Sequence, residues 1–170
     1  MNKTIKLALF LAIVAGLSGA ALSYVNGVTA PIIQEQKIAK DKAGLEAIYA
    51  GAEFVPVENT DTSEYPSIKA IYEAKGKGYI YKGSVTGYGG PVEYLVALDN
   101  DGTYKGFEVT EYSNETKGFG SKIAEEPFKS SVVGKNLGDT IDTITGATVT
   151  SKPVVNGIAE ATAHYEANFK

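Results

Sequence analysis

Leu7 to Val25, LALFLAIVAGLSGAALSYV, carries no charge. At ~1.5 Å per residue such a helix nearly spans a hydrocarbon core of ~30 Å. Lys3 and Lys6 precede it, and Tyr24 stands at its far end, where an aromatic ring favours the membrane interface. The pattern predicts a short cytoplasmic tail and a transmembrane anchor over residues 1–26. A cleavable signal peptide is the competing reading, with Ser18 to Ala21 small enough for a cleavage site. The apolar run is longer than an ordinary signal core, and Pro31 disfavours a cut just after Ala30. Ala8, Ala12, Gly16 and Ala20 recur every four residues, a stripe that lets another helix approach in lipid. Charge orients the span weakly: Lys3, Lys6 and the α-amino group lie on one side, and Lys37, Lys40 and Lys42 on the other. The expected arrangement is a single pass through the cytoplasmic (inner) membrane, with the tail inside and the large domain extracytoplasmic.

Beyond the anchor, TAPIIQEQKIAKDKAGLEAIYAG reads as a helical stalk over residues 27–52. Pro31 is expected to open it and Gly51 to close it, with Ile32, Ile38, Leu45 and Ile48 along one broken stripe. The period then changes. SIKAIYEAK, GYIYKGSVTGYGG, VEYLVALD and YKGFEVTEY are rich in Tyr, Val and Ile and bounded by turn residues, as strands are. DNDG at Asp99–Gly102 marks a hairpin, so an antiparallel meander is expected, with NTDTSE at 59–64 as a polar loop. Ile123 to Val133 is expected to hold a short helix interrupted near Pro127. SKPVVNGIAEATAHYEANF closes the chain as a helix, with Thr150 or Ser151 as its cap and Pro153 in its first turn. Val154, Val155, Ile158, Thr162 and Tyr165 would face inward, and Gly157 would mark close packing. The fold class is therefore α+β. One N-terminal transmembrane helix precedes a single domain, residues 53–170, with a mostly antiparallel sheet and flanking helices.

Composition narrows the chemistry. The 170 residues have a formal net charge of −4, no cysteine and one histidine. The mild acidity gives no basic face for nucleic acid. Without cysteine there is no disulfide, thiolate zinc site or cysteine-ligated cluster, and no His or Cys grouping suggests a metal. Redox chemistry would need an organic cofactor. His164 is expected at the surface or as a helix-end charge partner, and Glu125–Glu126 on a solvated face.

The hydroxyls crowd into Asp142–Ser151, DTITGATVTS, which has four threonines and one serine in ten residues. It leads directly into the last helix. A helix N-terminus offers unpaired N–H groups and a positive dipole end, a ready site for phosphate. Gly146 lets the backbone turn, Ala147 keeps the approach uncrowded, and Thr145, Thr148, Thr150 and Ser151 add hydroxyls. The loop can thus bind a phosphate, offer a hydroxyl for covalent attachment, or simply cap a helix.

DTITGATVTS resembles the flavinylation motif of the FMN-binding domain family. That family includes the G subunit of the Rnf electron-transport complex and the C subunit of the sodium-pumping NADH:quinone reductase. The motif runs Asp142, Thr143, Ile144, Thr145, Gly146, Ala147 and Thr148. GYGGPV at 87–92 and NETKGFGSKI at 114–123 are similar to two further family stretches. In the second, Lys117 and Phe119 replace the usual proline and leucine. The resemblance implies covalent FMN, joined as a phosphoester to Thr148 by a separate flavin transferase that recognises Asp142. It also implies other membrane subunits of an Rnf-type ferredoxin:NAD oxidoreductase ion pump as partners, and membrane lipid around the anchor. Under this reading Tyr88, Tyr112 and Phe119 would flank the ring, and Glu115 and Thr116 would hydrogen-bond the ring or ribityl chain. Gly87, Gly89, Gly90, Gly118 and Gly120 would let loops come close to ring or partner. The chain would carry electrons, with no catalytic residue and no independent turnover. Two alternatives remain: an anchored FMN domain of another extracytoplasmic electron chain, and an anchored binding module without flavin.

Overall fold

The computed structural model describes residues 3–58 and 60–170, with side chains throughout except at residues 30–38. The α-amino group at Met1, Asn59 of the polar loop, and the Ile32 and Ile38 side chains of the stalk stripe lie outside the described residues. The chain divides into two units, Met1–Ala39 and Lys40–Lys170. In the first, helix α1 (Lys3–Ile48) begins, and its segment Lys3–Thr29 is long and apolar enough to cross a membrane. Its large side chains are exposed, Leu17 and Leu22 among them, as a lipid-facing helix requires. Helical backbone continues through Pro31, which therefore does not open a separate stalk helix. Proline's fixed φ is itself helical, so the backbone can continue through it at the loss of one hydrogen bond.

The second unit is built on a five-stranded antiparallel meander in the order β1–β2–β3–β4–β5. The strands are β1 (Phe54–Pro56), β2 (Ile68–Ala74), β3 (Gly78–Thr86), β4 (Pro91–Asp99) and β5 (Tyr104–Glu111). Four match the runs rich in Tyr, Val and Ile in the sequence. β1 was not foreseen: its three residues, ending on an edge proline, are too few to show a period. The DNDG turn closes β4 onto β5, with Asp99 N–H donating to Thr103 O at 2.9 Å and Gly102 at φ +87°. β4 is covered on both faces. Val92, Tyr94, Val96 and Leu98 enter the main core, and Leu95 and Ala97 enter a smaller one with Leu45 and Tyr49. The last turns of α1 thus cover one face. Lys82 ties them down through Asp41 at 2.5 Å and also reaches Glu93 at 3.3 Å.

The other face is covered by a 3-10 turn (Gly120–Ala124), α2 (Glu126–Val132) and α3 (Thr148–Asn168). Pro127 lies in the first turn of α2 and starts that helix rather than interrupting one. Along α3, Val154, Ile158, Thr162 and Tyr165 are buried as the period predicts, and Val155 is half-buried. Two expectations fail on this helix. It begins at Thr148 with Ala147 in the capping position, so Thr150 and Ser151 are inside the first turn and Pro153 lies deeper than foreseen. Ser151 Oγ accepts from Ile144 N–H at 2.9 Å and donates to Ala147 O at 3.1 Å, fastening the preceding loop instead of capping the helix. His164 is fully buried, not at the surface. It shares a 3.0 Å hydrogen bond with the Tyr81 hydroxyl and packs edge-on to Tyr65.

Candidate functional site

Three segments distant in sequence meet at the start of α3. The first is the Gly87–Gly90 turn between β3 and β4, closed by Gly87 N–H to Gly90 O at 2.8 Å. The second is the loop after β5, from Ser113 to Gly120. The third is the loop ending at Ala147. Glu115 joins them: Gly89 N–H donates to its Oε1 at 3.0 Å, and the Thr150 hydroxyl donates to its Oε2 at 2.7 Å. Tyr88 N–H reaches Thr150 Oγ1 at 3.3 Å. The fit is tight enough to require glycine. A Cβ on Gly120 would stand 1.9 Å from Glu115 Oε2, and one on Gly89 would stand 1.8 Å from Asn114 O.

Between these segments lies a cleft of about 330 Å³. Glu115, Thr116 and Thr150 give it polar atoms, and Gly120, Gly146 and Ala147 line it with little bulk. Tyr88, Phe119 and Val149 form its apolar wall while remaining 73%, 57% and 63% exposed. Beyond α1, the only other exposed large hydrophobic residues among those described are Tyr112 and Val133. The unit's exposed apolar surface is therefore concentrated on this cleft, which marks a binding face rather than scattered surface residues.

Thr148 is the first residue of α3, exposed beside the cleft residues Ala147 and Val149. Its hydroxyl has one long contact, 3.5 Å to Ile144 O. Ala147 N–H donates to Ile144 O, and hydrogen bonding onto Ala147 O begins with the N–H groups of Thr150 and Ser151, so the Thr148 and Val149 amides between them have no helical partner. Gly146, at φ +82°, provides the turn that exposes this end.

The structure thus brings Tyr88, Glu115, Thr116, Gly146, Ala147 and Thr150 to one cleft, with Phe119 and with Thr148 adjacent. Thr145 is exposed on the loop, and Ser151 is buried beneath it. Asp142 is exposed on a separate hollow of about 460 Å³, with Lys122, Phe128 and Ser131. Tyr112 does not line the cleft. Val149 was missed in the sequence. Its signal was a large apolar residue within a run of hydroxyls, at a helix start where nothing else buries it.

An FMN-binding domain family model matches residues 87–163, a span that takes in all three converging segments. Over 95% of its length the chain is 30% identical to the G subunit of the ion-translocating oxidoreductase complex of Escherichia coli O157:H7, covering 91% of that protein. The chain belongs to this G-subunit family. It is also 29% identical to the G subunit of the Na(+)-translocating ferredoxin:NAD(+) oxidoreductase complex of Acetobacterium woodii, over 90% of this chain and 87% of that one. With its counterpart in the proton-translocating ferredoxin:NAD(+) oxidoreductase complex of Clostridium ljungdahlii it shares 27% identity, over 89% and 85%. Its fold matches the crystal structure of the C subunit of Na(+)-translocating NADH-quinone reductase from Parabacteroides distasonis. That match has a TM-score of 0.55 at 21% identity, covering 79% of this chain and 94% of that one. Membership in the G-subunit family, together with the apolar helix, makes this a membrane-anchored protein.

The residues present fit a flavin nucleotide. The cleft volume lies within the range of small-molecule sites, ~300–1,000 Å³. Its exposed aromatic and aliphatic wall suits a planar ring. The free N–H groups at the start of α3 and the exposed Thr148 hydroxyl suit a phosphate.

Proposed function

We propose that this chain is the flavoprotein electron-carrier subunit of an Rnf-type ferredoxin:NAD oxidoreductase ion pump, with FMN esterified through its phosphate to Thr148 Oγ. The observation that carries this reading is an exposed, weakly held hydroxyl at the first residue of α3, beside a cleft with an apolar wall.

In this reading the start of α3 binds the phosphate through backbone N–H groups and the helix dipole. Tyr88, Phe119 and Val149 shield the ring's apolar surface from water. Exposed Thr116 and buried Glu115 give polar contacts in the cleft, and Glu115 also fixes the walls relative to each other. The bound flavin supplies the electron chemistry, while the protein supplies its position and surroundings. A flavin transferase would join Thr148 Oγ to the FMN phosphate of FAD, with AMP leaving, and Asp142 would be read by that enzyme. Its place outside the cleft is consistent with recognition rather than with holding the ring. The α1 span would fix the domain on the extracytoplasmic side, next to other membrane subunits of the complex.

Intact mass of the full chain made alongside a flavin transferase tests the linkage. The expected result is a gain of one FMN less one water that survives denaturation. A chain of unmodified mass would refute the reading.

A further inference from the structure

Glu115 lies at the inner side of the cleft, only 8% exposed, yet takes part in no ion pair among the described residues. Its hydrogen bonds run in one direction. Gly89 N–H donates to Oε1. Thr150 Oγ1 receives Tyr88 N–H, which leaves its own proton to donate to Oε2. Both carboxyl oxygens accept, as those of an ionised carboxylate do. Burying such a charge without a cation is costly. The positive end of α3, to which Thr150 belongs, offsets part of that cost. A neutral amide could tie the three segments together without it, so the tie alone does not account for a carboxylate here.

We infer that Glu115 is a positioning residue whose retained negative charge also lowers the redox potential of the flavin in this cleft. The inference rests on the proposed function. By taking up two electrons from a reductant and one proton from water, the ring gains one negative charge, and a fixed anion nearby opposes that gain. At an effective dielectric of ~20, a unit charge in contact with the ring shifts such an equilibrium by more than about ten-fold.

The test compares the full chain, made with a flavin transferase and extracted in detergent, with Glu115→Gln and Glu115→Ala. Redox titration with a chemical reductant reads only flavin-bearing molecules, so partial loading does not obscure it. Gln keeps an acceptor for Gly89 N–H and presents an N–H to Thr150 Oγ1, so the tie survives without the charge. The expected result for Glu115→Gln is a ratio of reduced to oxidised flavin at least ten-fold higher at fixed ambient potential. For a two-electron couple that is a rise of about 30 mV. Its Tm should stay close to that of the parent, whereas Glu115→Ala should lose Tm as well. A flavin-bearing Glu115→Gln protein with the parent's potential would overturn the role of the charge. A Tm as low as that of Glu115→Ala would overturn the positioning role. A parent chain with no FMN mass would instead refute the proposed function, and this inference with it.

Discussion

At the scale of single residues, the site depends on one hydroxyl and on glycines that leave no room for a side chain. Thr148 is exposed and makes only a long contact to Ile144 O. Thr148→Ala should therefore abolish covalent flavin, seen as lost fluorescence in a denaturing gel. Stability should change by no more than about 0.5 kcal/mol, as for most surface substitutions. Gly120 is the opposite case. A Cβ there would stand 1.9 Å from Glu115 Oε2, so Gly120→Ala must displace the Glu115 carboxylate from its hydrogen bonds to Gly89 and Thr150. A loss of about 1–3 kcal/mol is expected from such overpacking, together with poorer flavin loading, measured by chemical unfolding and intact mass. Asp142→Ala should lower loading in cells without lowering Tm, because the side chain is exposed and lies outside the cleft.

At the scale of elements, α3 links the Asp142–Ala147 loop to the core, and its far end carries a pH-sensitive group. Burial holds His164 below its ordinary pKa of 6.5. Above that value the imidazole is neutral in both the folded and unfolded chain. As pH falls below it, the unfolded chain takes up a proton first, so stability declines from about pH 6.5 downward. Tm measured between pH 7.5 and 5.5 should show this slope. His164→Phe should flatten it, even though the variant leaves the Tyr81 hydroxyl without its partner.

The elements with a strong pattern were legible in the sequence. β2 to β5 are runs of seven to nine residues rich in Tyr, Val and Ile and bounded by turn residues, and α3 keeps its stripe from Val154 to Tyr165. The start of α3 was not legible, because several hydroxyls compete for one cap and Ser151 fastens Ile144 instead. His164 is on the buried face of α3, three residues beyond Ala161 and beside Tyr165, but a polar residue type masks that period in the sequence. Its burial comes from tertiary packing against Tyr81, Tyr65 and Phe169.

At the scale of the whole molecule, the cleft exists because the meander's β3–β4 turn, the loop after β5 and the start of α3 converge on Glu115. The motifs were readable one by one. Their meeting was not, since Gly89, Glu115 and Thr150 are separated by 26 and 35 residues along the chain. Under the proposed function, the cleft's exposed apolar wall gives a partner access to the flavin. The flavin-bearing part from about Pro31 onward should take up electrons from a chemical reductant but show no steady turnover with NADH alone. Sustained NADH oxidation without other subunits would make it an enzyme in its own right.

The most direct measurement is peptide mapping by mass spectrometry of the full chain made alongside a flavin transferase. The peptide containing Asp142–Ser151 should carry FMN less water, with fragmentation placing it on Thr148. FMN mapped to Thr145, Thr150 or Ser151, or absent from this peptide, would contradict the account.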